Sequence, residues 1–533
     1  MAISVEEFSQ RRPYNAVSDF VDVNVTRGFG DKLAFSDGAR TLTYAELQAA
    51  TCRCAGGLRA LGLRQEARIA LVMLDTIDWP IAFWGAIRAG VVPIPLNTLL
   101  NAEQYAYMLD DSRAEAVIVS APLAATIAPI VDKLPHLRGI VIAGGKAEDK
   151  DRFGQRDVQL FEEVLARGQT TTVTATTLSD EVAFWLYSSG STGVPKGTRH
   201  VHSSLIATAK LYGQGVLGIR EDDVVYSAAK LFFAYGLGNA MSFPMSVGAT
   251  AILFPGRPTP EAVFEVMRRE RPTIFYGVPT LYAAMLARND VVRGAGSDRL
   301  RMCVSAGEAL PAHIGTQWRE RVGVDILDGI GSTEMLHIFV SNRPGDVRYG
   351  CSGTPVPGYD AKILGEDGNE VATDEVGELV VRGPSAAEGY WNQRAKNRRT
   401  FVGEWTYTGD KYARDREGYY HYHGRTDDMF KVSGVWVSPF EVEAALISHE
   451  AVLEAAVIGK NDQDGLIKPK AFIVLKQGYD WDEQLLEALK DHVKEKAGPW
   501  KYPRWIDVRT DLPKTATGKI QRFVLRQQDD AEG

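Results

Sequence analysis

Twice along this chain, short apolar runs that read as buried strands alternate with longer stretches that read as helices. The first alternation spans residues 31–143. In it, Thr43 caps a helix opened by Tyr44-Ala45-Glu46-Leu47, and Arg68-Ile69-Ala70-Leu71-Val72-Met73 is a strand. Residues 79–89 form an apolar helix that stops at Gly90, and Val91-Val92-Pro93-Ile94-Pro95-Leu96 is a short extended piece. Ala116-Val117-Ile118-Val119 and Gly139-Ile140-Val141-Ile142 add two strands. The second alternation spans residues 224–328, with strands at Val224-Val225-Tyr226, Ala251-Ile252-Leu253-Phe254, Thr273-Ile274-Phe275-Tyr276 and Met302-Cys303-Val304. Such alternation predicts an α/β fold with helices on both faces of each sheet. From about Gly350 the texture changes to glycine-punctuated segments such as Gly377-Glu378-Leu379-Val380-Val381-Arg382-Gly383, which predict a small β subdomain. Beyond Gly424 a helix, two strands and a charged helix make a small α+β module.

The chain has 533 residues, too many for a single core. Its net charge of −8 argues against nucleic acid as a partner, so an anionic ligand must meet local positive charge. Four cysteines lack both zinc spacing and a disulfide framework and read as reduced thiols. The start, Met1-Ala2-Ile3-Ser4-Val5-Glu6-Glu7, is acidic and lacks an apolar core, and no apolar run reaches membrane-spanning length. The expected address is the cytoplasm, with no membrane partner; a homodimer is kept open as the assembly.

One loop carries the chemistry. Tyr187-Ser188-Ser189-Gly190-Ser191-Thr192-Gly193-Val194-Pro195-Lys196-Gly197 follows an apolar strand. Its glycines let the backbone turn toward a ligand, its N–H groups and hydroxyls form a concave anion site, and Lys196 adds a charge. It lacks the spacing of a Walker A loop. Two further runs, Ser305-Ala306-Gly307-Glu308 and Asp328-Gly329-Ile330-Gly331-Ser332-Thr333-Glu334, follow strands, where small residues let a flat ring approach the backbone. Glu334 is a hard oxygen ligand of the kind that suits Mg²⁺. Tyr407-Thr408-Gly409-Asp410 on its own reads as a Gly-Asp turn.

The loop resembles the signature of the adenylate-forming superfamily, which includes acyl-CoA synthetases, firefly luciferase and adenylation domains. The other strings follow in that family's order across nearly the whole chain. The resemblance implies that ATP is met by Ser188, Ser189, Gly190, Ser191, Thr192, Gly193 and Lys196, by Ala306, Gly307 and Glu308, by Asp328, Gly329, Ile330 and Thr333, and by Asp410 and Arg425. Ile330 stands where many members have tyrosine. Gly424-Arg425-Thr426-Asp427 resembles the hinge motif with Asp427 at its pivot, and Lys431, Ser433 and Gly434 match the coenzyme A tunnel. Leu512-Pro513-Lys514-Thr515-Ala516-Thr517-Gly518-Lys519-Ile520 matches the string that carries the catalytic lysine, Lys519. Lys519, Thr192, Glu334 and Lys196 are thus the implied catalytic set, with Glu334 on the metal. The implied organisation is an N-terminal domain of residues 1–424, a hinge at 425–427 and a mobile C-terminal domain of residues 428–533.

Lys230-Leu231-Phe232-Phe233-Ala234-Tyr235-Gly236-Leu237-Gly238-Asn239 bears on the acid substrate. It has no aspartate to pair with an amine, which disfavours an α-amino acid. It is similar to the corresponding string of benzoate-CoA ligases, as is Met335-Leu336-His337-Ile338-Phe339. That similarity implies a ring bounded by Phe233, Ala234, Tyr235, Gly331, His337 and Ile338, with His337 closing the distal end and in reach of a ring hydroxyl. The expected reaction joins benzoate or a substituted benzoate to coenzyme A through an aroyl-AMP, with ATP and Mg²⁺. A hydroxybenzoate ligase, a carrier-loading enzyme and a non-catalytic nucleotide sensor are the rival readings.

Overall fold

The structure, a computed structural model, describes residues 6–188, 195–288, 290–432, 435–463, 466–514 and 520–532. Among these residues, a five-stranded parallel sheet runs in the order Val92–Pro95, Arg68–Val72, Ala116–Ser120, Gly139–Ala143, Val158–Leu160. The helix Tyr44–Ala60 packs against the helices Asp78–Ala89 and Phe161–Arg167 and is opened by a reciprocal capping box between Thr43 and Glu46. The helix Asp78–Ala89 is buried at every residue and ends on Gly90 in the left-handed region, φ 78°. Its one buried cation, Arg88, meets Asp22 at 2.6 Å. The extended piece at 91–96 is a true edge strand, whose prolines are tolerated because an edge needs fewer ladder donors.

A second sheet of nine strands has a parallel centre: Ile326–Gly331, Met302–Ser305, Ile274–Gly277, Val224–Ser227, Thr250–Ile252 and Leu33–Ser36. Antiparallel strands close its two ends. Leu33–Ser36 and Thr41–Thr43 therefore leave the first alternation and pair with the second sheet, Phe35 lying opposite Ala251. A four-residue strand carries no signal of its neighbour, so residues 31–143 read as one sheet although they feed two. The antiparallel hairpin Val182–Ser188 with Lys196–Val201 stands between the sheets.

The expected β subdomain is a five-stranded antiparallel sheet containing Asp360–Leu364, Gly377–Arg382, Phe401–Val402, Trp405–Arg414 and Tyr420–Arg425. After it come the hairpin Phe430–Val432 with Val435–Val437, and a three-stranded sheet of Val452–Asn461, Ile467–Leu475 and Trp505–Val508. The helices Pro439–Ile447 and Glu483–Ala497 pack there around a separate core that includes Val442, Leu446, Ile473 and Leu489. Among the described residues, no helix is long and apolar enough to cross a membrane.

Candidate active site

The turn that follows the strand Ile326–Gly331 is held from several sides. Met335 N–H donates to Ser332 Oγ at 3.2 Å and Ala387 N–H to the Glu334 carbonyl at 2.8 Å. Ser385 Oγ donates to the Met335 carbonyl at 2.7 Å. His200 Nε2 lies 2.8 Å from the Thr333 carbonyl. Burial pushes the His200 imidazole down to about 4, so it is neutral at ordinary pH and donates this bond. These contacts hold Leu336 at φ 66°, a conformation leucine rarely adopts. The turn directs Glu334 to one side and His337 to the other.

On the first side, Lys196 Nζ lies 3.3 Å from Glu334 Oε1 and donates to the Tyr390 hydroxyl at 2.7 Å. That hydroxyl donates to the same Oε1 at 2.7 Å. Burial acts to raise the Glu334 carboxyl, but the Lys196 ammonium and the Tyr390 hydroxyl outweigh it and hold the group below its ordinary range. An anionic carboxylate beside a lysine fits magnesium, which takes one or two protein oxygens and fills its remaining positions with water and phosphate. Among the described residues, no cluster of three or more His, Cys, Asp or Glu offers a fuller cage.

On the other side, His337 is buried, with its ring 5.6 Å from Tyr235, 5.4 Å from Tyr212 and 4.5 Å from Phe243. Its Nε2 lies 3.1 Å from Asn239 Oδ1 and 3.2 Å from the Tyr235 carbonyl. Burial pushes its imidazole down to about 3, so Nε2–H is a donor to those two oxygens. Nε2 is thus already engaged, and Nδ1, buried with no hydrogen-bond partner among the described residues, is the ring nitrogen left to accept from a ring hydroxyl. Tyr235 is anchored by its hydroxyl to the carbonyls of Gly277 at 3.2 Å and Val304 at 3.1 Å, which fixes its ring as a wall. Phe233, Ala234 and Tyr235 are part-exposed at the start of the short helix Ala234–Leu237, and Gly331 is part-exposed while Ile338 beside it is buried. Ala234, Tyr235 and Ile338 thus share one apolar cluster, Tyr235 neighbours His337, and Gly331 lies against the His337–Ile338 backbone.

The nucleotide candidates lie at the carboxyl ends of two neighbouring parallel strands, where Ser305 stands opposite Asp328. Ala306 is buried, Gly307 takes φ 98°, and Glu308 is part-buried. Burial pushes the Asp328 carboxyl up to about 8, so it is protonated at neutral pH; it accepts the Leu310 N–H at 3.3 Å. Gly329 and Gly331 have a reason to be small other than ligand approach. A Cβ on Gly329 would sit 2.8 Å from the Val340 carbonyl, and one on Gly331 2.6 Å from that of His337. The partner strand Ile338–Ser341 requires them. Ile330 is part-buried and packs against the core. Ser188 ends its strand opposite Lys196. Asp410 Oδ1 is 3.1 Å from Arg425, whose guanidinium also donates to the Thr408 carbonyl at 2.9 Å.

Asp427 is exposed beyond Arg425, and Lys431 belongs to the strand Phe430–Val432. Ser189, Gly190, Ser191, Thr192, Gly193, Ser433, Gly434 and Lys519 lie outside the described residues.

Sequence reasoning missed Tyr390, His200 and Asn239. His200 was within reach: Lys196, Thr198 and His200 alternate along one strand and share a face. Tyr390 carries no such signal, because Gly389-Tyr390-Trp391 reads as an ordinary aromatic core segment.

The AMP-binding enzyme family model matches residues 23–391, and the AMP-binding enzyme C-terminal domain model matches residues 441–519. The chain is 57% identical over 515 residues to a benzoate–CoA ligase of Thauera aromatica, covering 96% of each chain. It is 56% identical over 517 residues to a 4-hydroxybenzoate–CoA/benzoate–CoA ligase of Rhodopseudomonas palustris, covering 97% of this chain and 94% of that one. A crystallised benzoate CoA ligase from Burkholderia xenovorans LB400 shares the fold at a TM-score of 0.89 and 49% identity, covering 96% of this chain and 100% of that chain. With sequence and fold in agreement over nearly its full length, the chain belongs to the adenylate-forming AMP-binding enzymes, within the benzoate-CoA ligase family.

Proposed function

We infer that this protein converts benzoate, ATP and coenzyme A to benzoyl-CoA, AMP and pyrophosphate in two steps. The observation that carries this reading is that one turn bears both Glu334, 3.3 Å from Lys196, and His337, packed among the rings of Tyr212, Tyr235 and Phe243. In the first step the benzoate carboxylate attacks the α-phosphorus of ATP, giving benzoyl-AMP and releasing pyrophosphate. The recess bounded by Phe233, Ala234, Tyr235, Gly331, His337 and Ile338 orients the ring. Lys196 and the loop from Ser188 hold the departing phosphates, Asp410 and Arg425 meet the ribose, and Thr333 meets the α-phosphate. Magnesium, when bound at Glu334, neutralises charge on the phosphates. Lys519 meets the carboxylate and phosphoryl oxygens as charge moves between them. Positioning and charge neutralisation carry reactions of this type.

In the second step the thiol of coenzyme A attacks the acyl carbon and AMP leaves. We assign residues 428–533 to a lobe that turns about the 425–427 hinge, withdrawing Lys519 and bringing Lys431, Ser433 and Gly434 to the cleft. A hydroxybenzoate preference, transfer to a carrier protein and a non-catalytic sensor are not favoured.

The test is benzoate-dependent exchange of labelled pyrophosphate into ATP, followed by AMP formation with and without coenzyme A, with 3- and 4-hydroxybenzoate run beside benzoate. Exchange without coenzyme A and turnover only with it is the expected result. Absence of exchange with every acid overturns the reading.

A further inference from the structure

Lysine–glutamate pairs that stand wide in this protein, Lys210–Glu7 at 3.6 Å and Lys496–Glu495 at 3.8 Å, are the exposed ones, whereas the more buried pairs Lys150–Glu163, Lys501–Glu441 and Lys514–Glu454 close to 2.7, 2.6 and 2.7 Å. Lys196 and Glu334 are more buried than any of these pairs, yet they stand at 3.3 Å. Burial strengthens the attraction between opposite charges, so the wider gap needs a cause. The Tyr390 hydroxyl supplies one. It lies 2.7 Å from each partner, accepting from Lys196 Nζ and donating to Glu334 Oε1, and so uses its donor and an acceptor site at once. The Lys196 ammonium also rests 4.1 Å from the centre of the Tyr390 ring.

Tyr390 is itself held rigidly. It is 2% exposed, and its ring packs edge-on against Phe401 at 5.3 Å. Its N–H donates to Asn397 Oδ1 at 2.7 Å, and Asn397 Nδ2 donates back to its carbonyl at 2.8 Å. Trp391, next in the chain, donates its N–H to the Gly197 carbonyl at 2.8 Å. The phenol is therefore a fixed wedge, while Lys196 and Glu334 are the side chains that would otherwise close on each other.

We propose that Tyr390 is a positioning residue that keeps Lys196 and Glu334 from collapsing into a mutual ion pair, leaving the ammonium to the polyphosphate of ATP and the carboxylate to magnesium. The proposal rests on the reading of Glu334 as the magnesium carboxylate. Tyr390 touches neither reacting atom. It sets the positions of two groups that do the binding, so its loss weakens metal–nucleotide binding and leaves the second half-reaction alone.

The experiment uses the full-length enzyme carrying Tyr390→Phe. Mn²⁺ binding in the presence of α,β-methylene-ATP, which cannot be adenylated, is read by electron paramagnetic resonance. The dissociation constant for Mn²⁺ rises about tenfold, as expected for one lost hydrogen bond to a charged group. The KM for magnesium-ATP in pyrophosphate exchange rises in parallel, while benzoyl-CoA formation from supplied benzoyl-AMP changes less than about twofold. Combining the change with Lys196→Ala separates positioning from general damage. With the lysine gone there is nothing to hold off, so Tyr390→Phe then costs much less than it does alone. Unchanged Mn²⁺ binding in Tyr390→Phe, or an equal loss in both backgrounds, overturns the proposal. Glu334→Gln is measured alongside. If it also leaves Mn²⁺ binding unchanged, the assignment of Glu334 to the cation falls as well; if it alone weakens binding, the failure is confined to Tyr390.

Discussion

Thr426 donates its backbone N–H to the Gly409 carbonyl at 2.9 Å, which ties the chain to the β subdomain one residue before Asp427. Arg425 is tied there too, through Asp410 at 3.1 Å. One residue after Asp427 the attachments change sides. Asp428 pairs with Arg522 at 3.4 Å and with Arg526, both on the helix Arg522–Glu532. Asp427 is the exposed residue between two anchored ones, so a turn of one lobe against the other concentrates its backbone change there. Asp427→Pro fixes φ near −65° and removes that freedom. The expected outcome is pyrophosphate exchange within about threefold of native and benzoyl-CoA formation slowed by about tenfold or more. Rapid-quench measurement of each half-reaction checks it; equal slowing of both counts against a pivot at this residue.

Lys519 is assigned to the first half-reaction alone. Removing a cation that stabilises a developing charge typically costs about a hundredfold or more in that step. Lys519→Ala is therefore expected to lose benzoate-dependent pyrophosphate exchange yet to convert supplied benzoyl-AMP and coenzyme A to benzoyl-CoA at close to the native rate. Loss of both activities means that Lys519 serves each step or that the lobe no longer docks.

Much of this architecture is legible before any coordinates are seen, because its signals are local. Thr43 announces a helix start, Gly90 a helix end, and the alternation of apolar runs with helices the parallel sheets. What stays hidden depends on distant partners. Leu33–Ser36 is an ordinary buried strand until it meets Thr250–Ile252, more than two hundred residues along the chain. Tyr390 is one aromatic among many until the fold sets it between Lys196 and Glu334. The smallness of Gly329 and Gly331 suggests ligand approach in sequence, and only the fold shows that the backbone of Val340 and His337 requires it too.

Gly238 is small because His337 lies against it. A Cβ there would stand 2.3 Å from His337 Cδ2 and 2.9 Å from Phe243 Cζ. Gly238→Ala therefore pushes the imidazole off Asn239 and into the aromatic recess. Overpacking of this kind costs about 1–3 kcal/mol. The KM for benzoate is expected to rise by about tenfold while that for ATP stays within about twofold, because the push falls on His337 and Phe243 and not on Lys196 or Glu334. Steady-state kinetics with each substrate varied in turn gives the answer, and a rise in both constants rejects a local effect.

His200 makes the stability of the loop that bears Glu334 depend on pH in a definite direction. Its folded-state value of about 4 lies below the ordinary 6.5, because burial opposes its charged form. Between those limits the unfolded chain binds a proton that the folded chain refuses. The stability His200 contributes in its neutral form is complete above about pH 6.5 and is lost as the pH falls toward 4. The loss amounts to about 2 kcal/mol at pH 5 and about 3 kcal/mol at pH 4. His202, pushed down to about 4, and His337, pushed down to about 3, add losses of the same sign. Asp75 and Asp328, pushed up by burial to about 6 and about 8, act in the opposite direction. A comparison of native protein with His200→Gln at each pH cancels those four groups. The glutamine amide still offers the Thr333 carbonyl a donor but binds no proton. Urea unfolding at pH 7 and pH 5 should show the native protein's advantage over His200→Gln shrinking by about 2 kcal/mol at the lower pH. Parallel stability curves for the two proteins would mean that His200 takes up its proton in the fold as readily as in the unfolded chain, and that burial does not hold it neutral.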